Sequence, residues 1–194
     1  MIPEGPGRAA VGILVGVSLG SLAFLATAGV IAATGRTRAV PVPGHPPVLR
    51  TILLLGIFAT VEEAIFRAGV LGLGQRWLGF GWALALSMAS FAAVHAVSER
   101  FGLITWLNLL LVGAVLGLLY QWAGFLAAVG FHWAWNTWQW GLGFAVSGPK
   151  NRRHLPSAPT IRDIDGLPYG PEGHWAALLA LAASVGFVGA FLHR

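Results

Sequence analysis

The sequence has no cysteine and few charged residues. The absence of cysteine among 194 residues excludes disulfides, thiol nucleophiles, cysteine-bound zinc and haem attachment motifs. Only 10% of the residues are charged and 56% are hydrophobic, with a mean hydropathy of +0.73. This composition predicts a membrane protein. In such a protein the net charge of +5 indicates loops near anionic lipid, so no nucleic-acid partner is expected.

Long apolar segments make up most of the chain. Because a bilayer core requires ~20 apolar residues per helix, the chain has room for about six spans. Breaks at charged or Pro/Gly-rich stretches predict helices at about 9–34, 51–74, 80–98, 103–121, 124–146 and 174–193. No alternating barrel pattern is present. We therefore predict an all-α, polytopic membrane helical bundle, with residues 1–194 forming one integral domain in the lipid bilayer.

The connections between these segments suggest an orientation. The stretches 35–50 and 147–174 are predicted to be loops. Loops one, three and five share a side and contain eight basic residues, whereas the other side has three. Since Lys and Arg are retained in the cytoplasm, we predict that the odd-numbered loops are cytoplasmic. The motif GPEGH, 170–174, is expected to cap the last helix, with Glu172 near its positive end.

Ionisable side chains gather at three places within the predicted helices, although each costs about 2.5–3.5 kcal/mol to insert. The first is EEAIFR, in which Glu63 and Arg67 are four residues apart and are predicted to pair on one helix face. Glu62 points about 100° away from Glu63. It has no basic residue three or four positions away, so its burial requires another explanation.

The other two places are SFAAVHA, near the end of the third helix, and FHWAWN, in the fifth. Phe91 and His95 share one helix face, and His132 and Asn136 lie one turn apart. Tilted helices would bring these side chains and Glu62 to the walls of one cavity, which is predicted to open to the cytoplasm.

A glutamate, two histidines and an asparagine in a water-filled hollow suit hydrolysis. The carboxylate is a general base toward water, and a histidine can share that water or protonate a leaving amine. A second histidine and an asparagine amide offer donors to the oxyanion of a tetrahedral intermediate. Because the sequence has no Gly-x-Ser-x-Gly elbow and no His-Glu-x-x-His motif, attack by activated water is the simplest scheme.

These three motifs, in this order, resemble the Glu-Glu-x-x-x-Arg, Phe-x-x-x-His and His-x-x-x-Asn motifs of the CAAX-protease and bacteriocin-processing (Abi) family. GAVLGLLY, 113–120, is similar to the family's small-residue helix, although an aromatic often found before that helix is replaced by NLLLVG. The resemblance covers about residues 50–140. It implies an intramembrane endopeptidase of glutamic type that needs no metal or other cofactor.

Carried over to this chain, the resemblance implies that Glu62 and His95 activate water. It implies that His132 and Asn136 hold the oxyanion. The supporting residues would be Glu63, Arg67 and Phe91. The expected substrate is a membrane-associated protein or peptide, such as a C-terminal tail, a sorting signal or a bacteriocin leader, and the expected location is a bacterial inner membrane.

The residues leave other functions open. Glu62, His95 and His132 would supply three ligands for zinc or another divalent metal, which is the pattern of a zinc-dependent membrane protease. A non-catalytic immunity or regulatory protein would use the same cluster for packing alone. A transporter is less favoured, because no repeat or broken helix is visible in two corresponding halves.

Overall fold

Six α-helices form the framework of the part of the chain that the structure describes. The computed structural model describes residues 6–35, 37–41, 47–96, 102–144, 146, 160–164 and 170–192. The helices are α1 (Pro6–Ala33), α2 (Val48–Glu63), α3 (Gly74–Ala96), α4 (Leu103–Ala123), α5 (Phe125–Gly141) and α6 (Trp175–Leu192). A π-helical segment, Ala64–Leu73, joins α2 to α3, and a 3-10 turn, Gly170–Gly173, precedes α6. The all-α bundle is thereby confirmed.

Three of the helices are long and apolar enough to cross a membrane. They comprise Ala9–Ala33, Leu103–Ala123 and Trp175–Leu192. The helices α2 and α5 have only 16 and 17 residues, or roughly 25 Å at ~1.5 Å per residue, although α2 continues into the π-helical segment. These lengths are compatible with the predicted bundle of about six spans.

The predicted break between the second and third helices falls at a glycine. Helical hydrogen bonding runs on through α3, but Gly79 has φ 73° and ψ 163°, which are not helical values. A positive φ of this size is readily adopted only by glycine. The chain therefore changes direction at Gly79, one residue before the predicted start of the third helix.

Two stretches that were predicted to be loops contain paired strands. The strand β1 (Thr37–Pro41) pairs antiparallel with β2 (Thr160–Ile164), and Ala39 lies opposite Arg162. The prediction of loops throughout 35–50 and 147–174 was wrong at these residues. Two segments outside the helices can satisfy each other's backbone groups, which the hydropathy pattern does not reveal. The pairing places the first and fifth connections on one side of the bundle, as predicted.

The closest helix contact joins α1 to α5. Gly12, Gly16 and Gly20 lie at intervals of four residues on α1 and face the backbone of α5. A Cβ atom at Gly20 would lie 2.5 Å from the carbonyl oxygen of Phe131, and one at Gly130 would lie 2.7 Å from that of Ile13. Small residues permit this approach, which is typical of membrane helix pairs.

The central helix of the bundle is α4. It contacts α1, α3, α5 and α6, and most of its residues are buried. Gly113 faces the backbone of Met88, and Gly117 faces the side chain of Leu84, both on α3. This close packing agrees with the small-residue helix predicted at 113–120 and brings α4 near the polar side chains described next.

Candidate active site

The two adjacent glutamates lie where the helix changes type. Glu62 and Glu63 are the last two residues of α2, and the π-helical segment begins at Ala64. π-Helical turns are rare and frequently occur at functional sites. Here the hydroxyl of Ser87, on α3, donates a 2.8 Å hydrogen bond to the carbonyl of Phe66 within the π-helical segment. This bond ties the segment to the helix that carries His95.

Glu63 joins an arginine to a histidine in the interior. Its Oε2 lies 3.1 Å from Nε of Arg67, and both side chains are fully buried. Its Oε1 accepts a 2.8 Å hydrogen bond from Nδ1 of His132 on α5. The predicted pairing of Glu63 with Arg67 is therefore present, but the contact with His132 was not predicted. One carboxylate thus orients two neighbours.

Arg67 packs against an aromatic ring and a backbone carbonyl. Its Cζ lies 4.8 Å from the ring centroid of Phe91, a distance suited to a cation-π contact. Its Nη2 donates to the carbonyl of Gly113 at 3.4 Å. The Phe91 ring also lies 4.3 Å from the ring of His95, measured between centroids. Phe91 therefore contacts both the arginine and the histidine.

Glu62 faces both histidines. Its Oε2 lies 3.8 Å from Nε2 of His95 and 3.7 Å from Nε2 of His132. The side chain of Glu62 is 23% exposed, whereas those of the two histidines are buried. These distances exceed those of direct hydrogen bonds. A water molecule is the bridge that such a separation suits.

The hydrogen bonds determine the tautomer of each histidine ring. Nδ1 of His95 donates to the carbonyl of Phe91 at 2.8 Å, and Nδ1 of His132 donates to the Glu63 carboxylate. Both acceptors lack a proton, so each Nδ1 carries the hydrogen. In the neutral form each Nε2 therefore presents a lone pair, and both of these atoms lie near Glu62.

A small cavity lies beside the histidines. Its volume is about 20 Å³, and the polar side chains in its lining are His95, His132, Asn136 and Glu172. A volume of this size holds about one water molecule. Phe91 and Trp135 contribute to its apolar wall. Three of the four residues predicted to be catalytic line the cavity together with Glu172, whereas Glu62 is not in its lining and lies within 3.8 Å of both histidines.

Most of the residues around this cavity lie in a part of the chain that matches a family model. Residues 44–138 match the family model described as Type II CAAX prenyl endopeptidase Rce1-like. The chain carries an Rce1-like domain. The match includes the three predicted motifs and confirms the resemblance. No curated protein and no solved structure matches the chain.

This family supports the coarser functional predictions. Its description names endopeptidases, which supports a peptidase, and the apolar helices indicate an integral membrane protein. Within the described part of the chain, no three His, Asp or Glu side chains are arranged to hold a metal ion. The Rce1-like domain ends before the 3-10 turn, so Glu172 lies outside it.

Glu172 lies just before α6, as predicted, but it also makes contacts with α5 that were not predicted. Its Oε1 accepts a hydrogen bond from Nε1 of Trp135, and its Oε2 accepts one from Nε2 of Gln139, each at 2.9 Å. The motif GPEGH caps α6 as predicted, through its last residue, His174, whose Nδ1 accepts from the backbone N–H of Ala176 at 3.1 Å. The Glu172 carboxyl turns toward α5 because indole and amide donors are available there.

Burial dominates the protonation of Glu172. Loss of hydration raises the pKa of this carboxyl group to about 7, although hydrogen bonds from Trp135 and Gln139 oppose the shift. Asn108, on α4, holds the turn from outside by donating to the backbone carbonyls of Glu172 at 2.7 Å and His174 at 3.1 Å. The carboxyl group is therefore fixed in place.

Part of this cluster has a signal in the sequence. His132, Trp135, Asn136 and Gln139 are spaced by three or four residues and lie on one stripe of α5. Extending the His132/Asn136 face by one turn would have identified Gln139. No such signal exists for Glu172, because its contact with Gln139 spans 33 positions and joins a turn to a helix.

Proposed function

We propose that this protein is an intramembrane endopeptidase of glutamic type that hydrolyses a peptide bond in a membrane-associated protein or peptide. The observation that carries the proposal is the position of the Glu62 carboxylate, within 3.8 Å of Nε2 of both His95 and His132. A water held among these three groups would face a carboxylate and a nitrogen lone pair. That is the arrangement required of a general base.

Hydrolysis would proceed in two stages. In the first, Glu62 removes a proton from water while the water oxygen forms a bond to the carbonyl carbon, and His95 orients that water. The carbonyl oxygen then carries the negative charge of the tetrahedral intermediate. In the second, the carbon–nitrogen bond breaks as Glu62 returns the proton to the leaving amine. The products are a carboxylic acid and an amine, and Glu62 is regenerated.

The oxyanion requires hydrogen-bond donors, and the tautomer of His132 determines when its Nε2 can be one of them. Because Nδ1–H of His132 is bound to Glu63, its Nε2 donates only when the ring is doubly protonated. The carboxylates of Glu62 and Glu63 favour that cation. In this scheme protonated His132 and the amide of Asn136 stabilise the oxyanion, and Arg67 holds Glu63 in place.

A groove beside Glu62 supports a membrane-associated substrate. It has a volume of about 400 Å³, lies between α1, α2 and α5, and is lined mostly by apolar side chains. Val61, next to Glu62, and Trp133, next to His132, are both in its lining. An apolar segment in this groove would bring an adjoining peptide bond close to the carboxylate. We expect the bilayer to be a bacterial inner membrane, with the site open to the cytoplasm.

The test compares the wild type with Glu62→Gln in detergent, after treatment with a chelator, on a library of membrane-anchored peptides. Wild-type cleavage should survive chelation, and the variant should lose at least about 10²-fold in kcat, because an amide cannot accept the proton. Ser90→Ala is a suitable control, since the Ser90 hydroxyl bonds only carbonyls of its own helix.

Other outcomes of this experiment would contradict the proposal or favour one of the alternative functions. Activity abolished by chelator and restored by zinc would favour the metalloprotease alternative with Glu62, His95 and His132 as ligands. Cleavage retained in Glu62→Gln would remove Glu62 as the base. Absence of cleavage by every form, with all of them folded, would favour the non-catalytic immunity or regulatory protein.

A further inference from the structure

Glu172 is a buried carboxyl group that the scheme above does not use. It comes from the 3-10 turn before α6 and lines the same water-sized cavity as His132 and Asn136. A cavity that holds about one water brings every lining group within reach of whatever occupies it. Glu172 is therefore placed to contact the group that binds there.

The carboxyl group is held rigidly by donors. Trp135 and Gln139 each donate to one of its oxygens, and the side chain is buried. If Glu172 is neutral, it has a hydroxyl hydrogen that neither N–H donor can accept. An acceptor in the cavity satisfies that hydrogen, and the substrate's carbonyl oxygen is such an acceptor.

Burial, rather than the charge of its neighbours, favours the neutral form, because the charge of His132 lowers the pKa of Glu172. Of the charged neighbours, Arg67 is paired with Glu63, and Glu62 is a second carboxylate near the histidines. The titratable groups facing Glu172 are His132 on α5 and His95 on α3, through the cavity, and His174 beside it in the chain. Asn108, on α4, is uncharged, and β2, which also contacts the turn, carries Arg162 and Asp163.

We propose that Glu172, as a neutral carboxylic acid, is a further catalytic residue that donates a hydrogen bond to the oxyanion beside Asn136 and His132. The inference rests on the proposed endopeptidase function. A neutral acid in this role strengthens its bond as negative charge develops on the oxygen, whereas an ionised one repels that charge.

The direction of the pH effect follows from burial. Because the pKa of Glu172 is raised to about 7, the neutral donor is present below that pH and is lost as the pH rises through it. The kcat of the wild type should therefore fall above about pH 7. Glu172→Gln keeps an N–H donor at every pH, and its amide oxygen can still accept from Trp135 or Gln139.

The test measures kcat and KM against pH for the wild type, Glu172→Gln and Glu172→Ala, with melting temperatures for all three. Glu172→Gln should retain kcat within about tenfold at pH 6 and lack the fall near pH 7. Glu172→Ala should lose about 10²-fold in kcat with little change in KM, as when one oxyanion donor is removed.

A purely structural role would give a different result. It would lower the melting temperature of both variants, and the kcat of Glu172→Gln would depend on pH as that of the wild type does. That result would overturn the proposal. A second readout needs no substrate: the infrared C=O stretch of a protonated carboxyl group should be present at pH 6 and missing in Glu172→Gln. Its absence from the wild type would also overturn the proposal.

The two proposals fail separately. If Glu62→Gln abolishes cleavage but Glu172→Gln behaves as the wild type does, only the role of Glu172 is wrong. If Glu62→Gln cleaves normally, the endopeptidase scheme fails, whatever the infrared spectrum shows for Glu172.

Discussion

At the scale of single residues, Glu63 is more deeply buried than its neighbour Glu62, whose side chain is 23% exposed. It holds Arg67 on one oxygen and His132 on the other, and all three side chains are buried. A carboxylate that orients a histidine fixes its tautomer and its ring position. In the proposed mechanism Glu63 is therefore a positioning residue, and Glu62 is the base.

Glu63 should affect stability through Arg67 and catalysis through His132, and variants should separate the two effects. Glu63→Gln leaves a buried arginine without its carboxylate, which should cost about 3–5 kcal/mol in free energy of unfolding. Adding Arg67→Met removes the uncompensated charge and should restore much of that stability. Because His132 still lacks its carboxylate partner, kcat should remain about 10–100-fold below wild type. Denaturant titration and peptide cleavage measure the two effects. Full recovery of kcat in the double variant would contradict this role for Glu63.

Single residues also mark the limit of prediction from sequence. The i, i+4 spacing of Glu63 and Arg67 dictates their pairing, because both lie on one local helical stretch. The bond from Glu63 to His132 depends on how α2 and α5 pack, which no local spacing encodes. The expectation that Glu62, His95, His132 and Asn136 would meet came from their positions in the predicted helices together with the motif order of the family.

At the scale of elements, α1 supports the site from outside the Rce1-like domain. It packs through glycines against the back of α5, the helix that carries His132 and Asn136. Hydropathy predicts that α1 is a span but not which helix it contacts. The π-helical segment was likewise missed, because an apolar pattern does not distinguish i→i+5 from i→i+4 hydrogen bonds.

The packing of α1 against α5 predicts a contrast between two glycines on the same helix. Gly16→Leu forces a side chain into the backbone of Ala127, so the helices must separate. Gly29→Leu meets no atom within 4 Å. We expect the first change to lower the melting temperature in detergent by at least about 5 °C, since overpacking costs about 1–3 kcal/mol. The second should leave it nearly unchanged, and equal effects would argue against this interface.

At the scale of the whole molecule, the β1–β2 ladder links the first connection to the fifth. Sequence analysis placed both on one side from the alternation of spans, but the pairing itself joins residues more than 120 positions apart, Ala39 and Arg162. Such long-range contacts are set by the arrangement of the helices, and no short-range signal reports them.

The absence of cysteine makes this pairing easy to test. Ala39→Cys with Arg162→Cys places two thiols at directly opposed positions, where antiparallel Cα atoms are about 4.5–5.5 Å apart and a disulfide is possible. Mild oxidation should form an intramolecular crosslink, seen as a mobility shift reversed by reductant. Ala39→Cys with Thr160→Cys is offset by two positions and should crosslink less. If the offset pair reacts equally well, the register is wrong.

The position of Glu172 along the chain has a consequence for biosynthesis. Glu62, His95, His132 and Asn136 all precede it, so a ribosome that has made the whole Rce1-like domain has not yet made this wall of the cavity. The turn before α6 completes the enclosure only when that last helix docks against α4. The wall of the cavity that Glu172 forms is therefore synthesised last, and the complete cavity can form only in the later part of translation.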